Sequence, residues 1–121
     1  MEHPGGQILS QEHFKLVLAG VAGLSAWHKR NPNDVLQLRR ADFHQRCLSR
    51  HPLTRANLEL ADFRWCDLVD ADFEGAYLAH ADFHKADLRR ANLSGCTLIE
   101  TNFEDAILTN ARLDGAVFGH T

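Results

Sequence analysis

Ala61-Asp62-Phe63-Arg64-Trp65-Cys66-Asp67-Leu68-Val69-Asp70-Ala71-Asp72-Phe73-Glu74-Gly75-Ala76-Tyr77-Leu78-Ala79-His80 divides into four five-residue blocks, each with a small residue two places before a Leu or Phe. The same frame extends outward without a gap from residue 36 to residue 120, making seventeen blocks. Every block centre, from Leu38 to Phe118 in steps of five, is Leu or Phe. Two places earlier stands Ala in eleven blocks, Cys at Cys66 and Cys96, and Thr at Thr101. Only Leu36, Arg46 and His51 depart from that rule. A tandem repeat of this regularity is a statement about architecture.

Residues two apart on an extended chain point to the same side. The small residue and the block centre therefore face a common interior, and the residues flanking the centre face out. Nine of the seventeen residues just before a centre are Asp or Asn, as outward positions allow. Five is odd, so one continuous strand would turn its apolar face over at every block. A helix fails as well, because steps of five on a 3.6-residue turn carry the Leu/Phe stripe around the surface. What remains is a coil of short straight segments with one corner per block.

The number of corners per coil follows from a second period. Phe43, Phe63, Phe83 and Phe103 are spaced by twenty, and so are Gly75, Gly95 and Gly115. Twenty residues are four blocks, so like residues stack when each coil has four sides. The glycine column predicts a corner that needs φ > 0. The expected fold is an all-β solenoid of about four coils over residues 36–120.

The run Ala-(Asp/Asn)-(Leu/Phe)-x-x in tandem resembles the pentapeptide-repeat proteins, and it covers 85 of the 121 residues. That resemblance implies a right-handed quadrilateral β-helix. Members that protect DNA gyrase from quinolones are understood to imitate the shape and charge of duplex DNA. Those members are thought to dimerise through their C-terminal ends.

The chain ahead of the repeat divides into a flexible stretch, residues 1–9, and a helical cap, residues 10–35. Ser10 is placed to cap a helix whose first turn holds Glu12. Phe14, Val17, Leu18, Val21, Leu24 and His28 form one apolar stripe beside Trp27, interrupted by Gly20 and Gly23. Asn31-Pro32 ends the helical region. A helix, a Trp and an Asn-Pro before the first block also resemble the leader of many bacterial pentapeptide-repeat proteins. The cap would cover an interior ring and an open strand edge. Arg46, His51 and Pro52 predict a local distortion beneath it, with Arg46 turned outward to avoid an unpaired buried charge.

Composition narrows the functional classes. The net charge of −3, from 16 acidic and 13 basic residues, does not suit a protein that binds nucleic acid through phosphate contacts. Leu16 to Trp27 is too short to span a bilayer, and Glu2 and Glu12 stand where a secretion signal needs basic residues. Cys66 and Cys96 replace Ala in interior slots and Cys47 faces out, a spacing of neither metal nor disulfide type. These features point to a cytoplasmic protein with no membrane contact.

No nucleophile and base, phosphate-cradling loop or paired carboxylate can be assembled, so neither catalysis nor a cofactor is expected. The candidates are surfaces. Tyr77, Ala79, Thr97, Ile99, Val117 and Gly119 flank the side centred on Leu78, Leu98 and Phe118, an apolar patch among charged neighbours. Trp65 stands alone at a corner. After Phe118 only three residues remain, so Phe103, Leu108, Leu113 and Phe118 would line an open end suited to a homodimer. His80, Glu100 and His120 share one corner column, with His84 and Glu104 beside it, a set that is either a metal corner or solvated ion pairs. The column Asp42, Asp62, Asp82 and Asn102 raises the DNA-mimic alternative, which Arg64, Lys85, Arg89, Arg90 and Arg112 interrupt. The favoured reading is a non-catalytic scaffold whose protein partner the sequence does not name.

Overall fold

The computed structural model of the chain describes residues 9–119. Most of the stretch 1–9 lies outside that range, and Leu9, which lies inside it, packs against the core. From Leu36 onward the backbone closes one circuit every twenty residues, as a β-helix solenoid. Parallel bridges join Gln37 to Asn57, Asn57 to Tyr77, Asp42 to Asp62 and Asp62 to Asp82, continuing to Asn92 with Arg112. Regular strand appears on one side only, where β1 (Thr97–Ile99) pairs in parallel with β2 (Val117–Gly119) and Thr97 faces Val117. Three hydrogen bonds join each block of the middle coils to its neighbouring coils, one of them from the corner residue, as from Leu60 to Ala79 O at 3.0 Å. The N–H before a centre donates to the previous coil, as from Asp62 to Ala41 O at 2.9 Å, and the centre's N–H donates to the next, as from Phe63 to Asp82 O at 2.8 Å.

Corners follow one rule. The first N–H of each block donates to the preceding centre's carbonyl, as from Ala81 to Leu78 O at 3.0 Å. The residue before that donor has positive φ at all sixteen corners from Arg40 to Gly115. These are the marks of a type II turn. The glycine column stands at positive-φ corners, as the sequence predicts, and the same φ recurs at every other corner. Gly75, Gly95 and Gly115 have φ of 68 to 71°, and the other corner residues reach 54 to 65° without being glycine. At seven of the thirteen non-glycine corners an Asp or Asn before the centre helps hold the turn. All nine Asp and Asn residues before a centre accept the N–H two residues on, at 2.9 to 3.3 Å. This is the local Asx bond that favours turns over continuous strand.

Left-handed backbone disfavours most L-residues by about 1–2 kcal/mol, and Asn least among them. Leu60 sits at such a corner with φ 61° and is partly exposed. Leu60→Asn is therefore expected to stabilise the protein by about 1 kcal/mol or somewhat less. A denaturant midpoint that stays put or falls would contradict corner strain at Leu60.

The interior is a column of rings. Phe63 stacks on Phe83 at 4.9 Å and 2°, and Phe83 on Phe103 at 5.2 Å and 3°. Phe73, from an adjacent side, meets Phe63 and Phe83 edge-on at 5.6 and 5.8 Å. Small residues beside each centre let neighbouring sides close. Where the slot holds a donor, it bonds the carbonyl twenty-three residues back: Cys66 to Phe43 O at 2.8 Å, Cys96 to Phe73 O at 2.9 Å and Thr101 to Leu78 O at 2.8 Å.

Ahead of the solenoid lie α1 (Gln11–Ala19) and α2 (Val21–Arg30). The Ser10 side chain accepts the His13 N–H at 3.1 Å, the N-cap read from the sequence. Gly20, with φ 120°, separates the helices. That break resets the phase, so the single stripe expected from Phe14 to His28 does not survive. Val17, Leu24 and Trp27 are buried, whereas Leu18 and Val21 are each 38% exposed. α2 stops at Asn31, whose backbone and side-chain N–H groups both donate to Trp27 O at 2.9 Å.

The helices pack against the first coil. Phe14 packs on Phe43 at 5.3 Å, continuing the ring column. Ser10 N–H donates to Gln37 O at 2.8 Å, and Gln37 N–H donates to His13 Nδ1 at 2.9 Å. His28 Nε2 donates to Pro52 O at 2.9 Å. His51 is buried, with Nε2 3.1 Å from Val17 O and Nδ1 3.1 Å from Ser49 O. Pro52 has no N–H to leave unpaired on this edge, the position in a sheet that proline tolerates. The expected distortion is thus corrected: Pro52 bridges Asp72, and Leu53 N–H reaches Asp72 O at 2.7 Å, in register. Arg46 is exposed, as expected.

Candidate interaction surfaces

The side carrying Tyr77, Thr97 and Val117 is one ladder, because Tyr77 bridges Thr97 and Thr97 pairs with Val117. Its parallel column sets Ile99 opposite Gly119. Tyr77, Thr97 and Ile99 are half-buried and Val117 is 53% exposed. Ala79, expected on this surface, is instead buried at 2% exposure because its neighbours overhang so small a side chain. Nearer the helices the same side is polar, with Gln37, Asn57 and an Arg39–Glu59 pair at 2.8 Å. Apolar character therefore grows toward the C-terminal coil.

That coil is open among the described residues. Phe118 is 60% exposed and Leu113 37%, while Phe103 and Leu108 are partly buried against the coil before. Centres donate their N–H groups to the following coil, and beyond Phe103, Leu108 and Leu113 none is described. Ile107 was not singled out from the sequence, and it is 47% exposed at this rim. Its signal was available: in the last coil Ile107 and Val117 occupy positions that hold Asp or Asn in most other blocks. Glu100, Glu104, Asp105 and Asp114 surround the end, against Arg112, which pairs with Asp114 at 3.2 Å.

Trp65 is 54% exposed at a corner with φ 63°. Lys85 Nζ lies 4.7 Å from its ring centroid, a cation over an aromatic face. The His84 ring meets Trp65 edge-on at 6.3 Å.

The proposed metal corner divides into two pairs, His80–Glu100 at 3.9 Å and His84–Glu104 at 3.1 Å, and His120 lies outside the described residues. A different trio, Asp42, His44 and Asp62, brings ligand atoms within 4.8 Å of one another. Its members are already engaged: His44 Nδ1 with Asp42 at 2.6 Å, and Asp62 with Arg64 at 2.7 and 2.9 Å. A cation there would have to displace the Arg64 guanidinium.

Arginine also meets the outward carboxylates elsewhere. Arg89 grips Asp87 at 2.7 Å and Arg90 grips Asp70 at 3.0 Å. Hydrogen bonds from Arg64, Arg89 and Arg90 hold the carboxyls of Asp62, Asp87 and Asp70 below the usual carboxylate range. Burial pushes the Cys66 thiol up to about 11 and that of Cys96 to about 12, so neither is a nucleophile at neutral pH. A depression of about 390 Å³ beside Gly75 is lined by Thr54, Arg55 and Glu74. Nothing in these groups points to catalysis.

The pentapeptide repeats family model matches residues 37–68, 56–95 and 86–121 in eight copies. The chain belongs to the pentapeptide repeat family. Among solved structures it is similar to a pentapeptide repeat protein from the thylakoid lumen of Arabidopsis thaliana, at 30% identity and TM-score 0.57, over 66% of this chain and 60% of that one. It is also similar to HetL, a pentapeptide repeat protein involved in heterocyst differentiation regulation from the cyanobacterium Nostoc sp. strain PCC 7120, at 28% identity and TM-score 0.53. That likeness covers 71% of this chain and 42% of HetL, so the chain spans less than two thirds of either protein. No curated protein matches the chain. Among the described residues no helix is long and apolar enough to cross a membrane.

Proposed function

We propose that this pentapeptide repeat protein is a non-catalytic, cytoplasmic protein–protein interaction module. In this reading it is a right-handed quadrilateral β-helix, plugged at one end by α1 and α2, that binds through its apolar side and its open coil. The observation that carries the reading is the continuity of exposed Val117, Phe118, Leu113 and Ile107 at a coil end with free edge groups. A rigid rod that leaves such a surface uncovered is suited to pairing with another protein. Involvement in regulation, stated for HetL, agrees with a binding role.

The occupant of the open end in this proposal is a second copy, related by a two-fold axis. The acidic rims of two such ends oppose one another, so added salt should strengthen association by screening them. Sedimentation at micromolar concentration is expected to show a dimer fraction that rises with ionic strength. Phe118→Arg should give a folded monomer at every salt concentration. A wild-type monomer throughout would remove the homodimer and leave the end to a different protein or to further repeats. Tyr77→Arg with Ile99→Arg probes the apolar side separately. The DNA-mimic alternative directed at gyrase finds no specific support, because Arg64 pairs with Asp62 within the acidic column and Arg89 and Arg90 pair with Asp87 and Asp70 outside it.

A further inference from the structure

The joint between the helices and the first coil is fastened by three histidines that answer differently to a proton. His13 Nδ1 accepts the Gln37 N–H at 2.9 Å, so that nitrogen must be bare. His28 Nε2 faces the Pro52 carbonyl at 2.9 Å and must carry hydrogen. His51 faces carbonyl oxygens with both ring nitrogens, those of Val17 and Ser49, each at 3.1 Å. A proton added to His13 opposes two N–H groups and leaves a strand-edge donor unpaired. A proton added to His28 or His51 breaks none of their bonds.

We propose that His13 is a proton-operated latch: acid frees the start of α1 from Gln37, while His51 and His28 keep the rest of the helical pair pinned. The unit that moves is short. Ser10 and His13 hold the two backbone groups of one residue, Gln37 O and Gln37 N–H, and losing the second bond leaves Ser10 alone on that edge. The pinned points lie further along, at Val17 at the far end of α1 and at His28 near the end of α2. Opening at Gln37 would bare the first rung of the side that ends in Thr97 and Val117, since Gln37 bridges Asn57 and Asn57 bridges Tyr77.

The groups facing the His13 ring set the direction. Trp27 of α2 covers it edge-on at 5.1 Å, and Gln37 of the first coil is uncharged. Burial lowers its proton affinity, and Glu12 on α1 and Asp34 after α2 raise it by less, so the ring stays below the ordinary value of 6.5. The docked ring thus resists the proton that a free histidine accepts. Stability of the docked state is full above the ordinary value and is lost as pH falls below it.

Amide exchange at Gln37, compared with Leu58 and Leu68 in the second coil, tests the latch on the whole chain. Between pH 7.5 and 5, after correction for intrinsic exchange, Gln37 protection should fall by about tenfold, the worth of one unmade hydrogen bond. Leu58 and Leu68 should hold. His13→Asn, whose Oδ1 takes the place of Nδ1 without titrating, should abolish the fall. Gln37 protection that is flat with pH, or that falls equally in the Asn variant, would overturn the latch. The wild-type Nδ1 nitrogen shift supplies a check that needs no variant. It must move to its protonated value over the same pH range, and protection lost outside that range would count equally against the proposal.

Discussion

Phe83→Ala will lower stability by about 3–5 kcal/mol, and Phe118→Ala, at an equivalent repeat position, by about 1 kcal/mol or less in the monomer. Both residues are block centres, and five-residue periodicity does not distinguish them. Their surroundings do. Phe83 is fully buried between Phe63 and Phe103, with the edge of Phe73 against it, and truncation would leave a ring-sized hole inside a filled rod. Phe118 is 60% exposed and loses little packing. Denaturant midpoints read by circular dichroism compare the two at a concentration low enough to suppress association. Equal losses would mean that the last coil is covered in solution. A cost at Phe118 that grows with protein concentration would identify a second copy as the cover.

The second large effect concerns the period itself. Deleting residues 61–80 removes one complete coil and places Phe43 against Phe83 and Asp42 against Asp82, like on like. That variant should keep cooperative unfolding at reduced stability, because solenoid stability depends on contacts between neighbouring repeats. Deleting Val69 alone should do more damage while removing far less. Val69 N–H bonds Asp67 Oδ1 and its carbonyl accepts Arg50 N–H, so that corner loses its turn. The next four blocks then fall one residue out of step with the coil before them, and a one-residue slip exchanges inside for outside. The expected result is a broad transition and early proteolysis at the junction. A Val69 deletion as stable as the twenty-residue deletion would sink the view that corners fix the register.

Several features were legible because the physics behind them is local. Two-residue alternation, an odd block and a twenty-residue repeat of Phe were enough to place Phe63 over Phe83 before any coordinate. The Asp/Asn bonds at the corners were legible for the same reason, since donor and acceptor are two residues apart. The glycine column located one positive-φ corner but not the others, because side-chain identity reports conformation only when nothing else enforces it. At the other corners the ladder, joined by an Asx bond at Leu60, Trp65 and Arg90, keeps non-glycine residues at positive φ. The helical stripe failed at Leu18 and Val21 because Gly20 changed the phase and an unbroken 3.6-residue count did not anticipate it. Of the candidate surface, the Tyr77–Thr97–Val117 ladder followed from stacking. The burial of Ala79 and the exposure of Ile107 depended on how far neighbouring side chains reach.

Repetition along the chain determined by itself the four-cornered circuit, the inward column and the outward acids, since each is repeated often enough for a frame to be read. The helical joint had to wait for the tertiary structure. His13 finds Gln37 across 24 residues, His28 finds Pro52 across 24, and Val17 finds His51 across 34. No period links these residues. They meet because the first coil has no coil before it, and its unpaired edge groups take whichever polar groups the packed helices bring within reach.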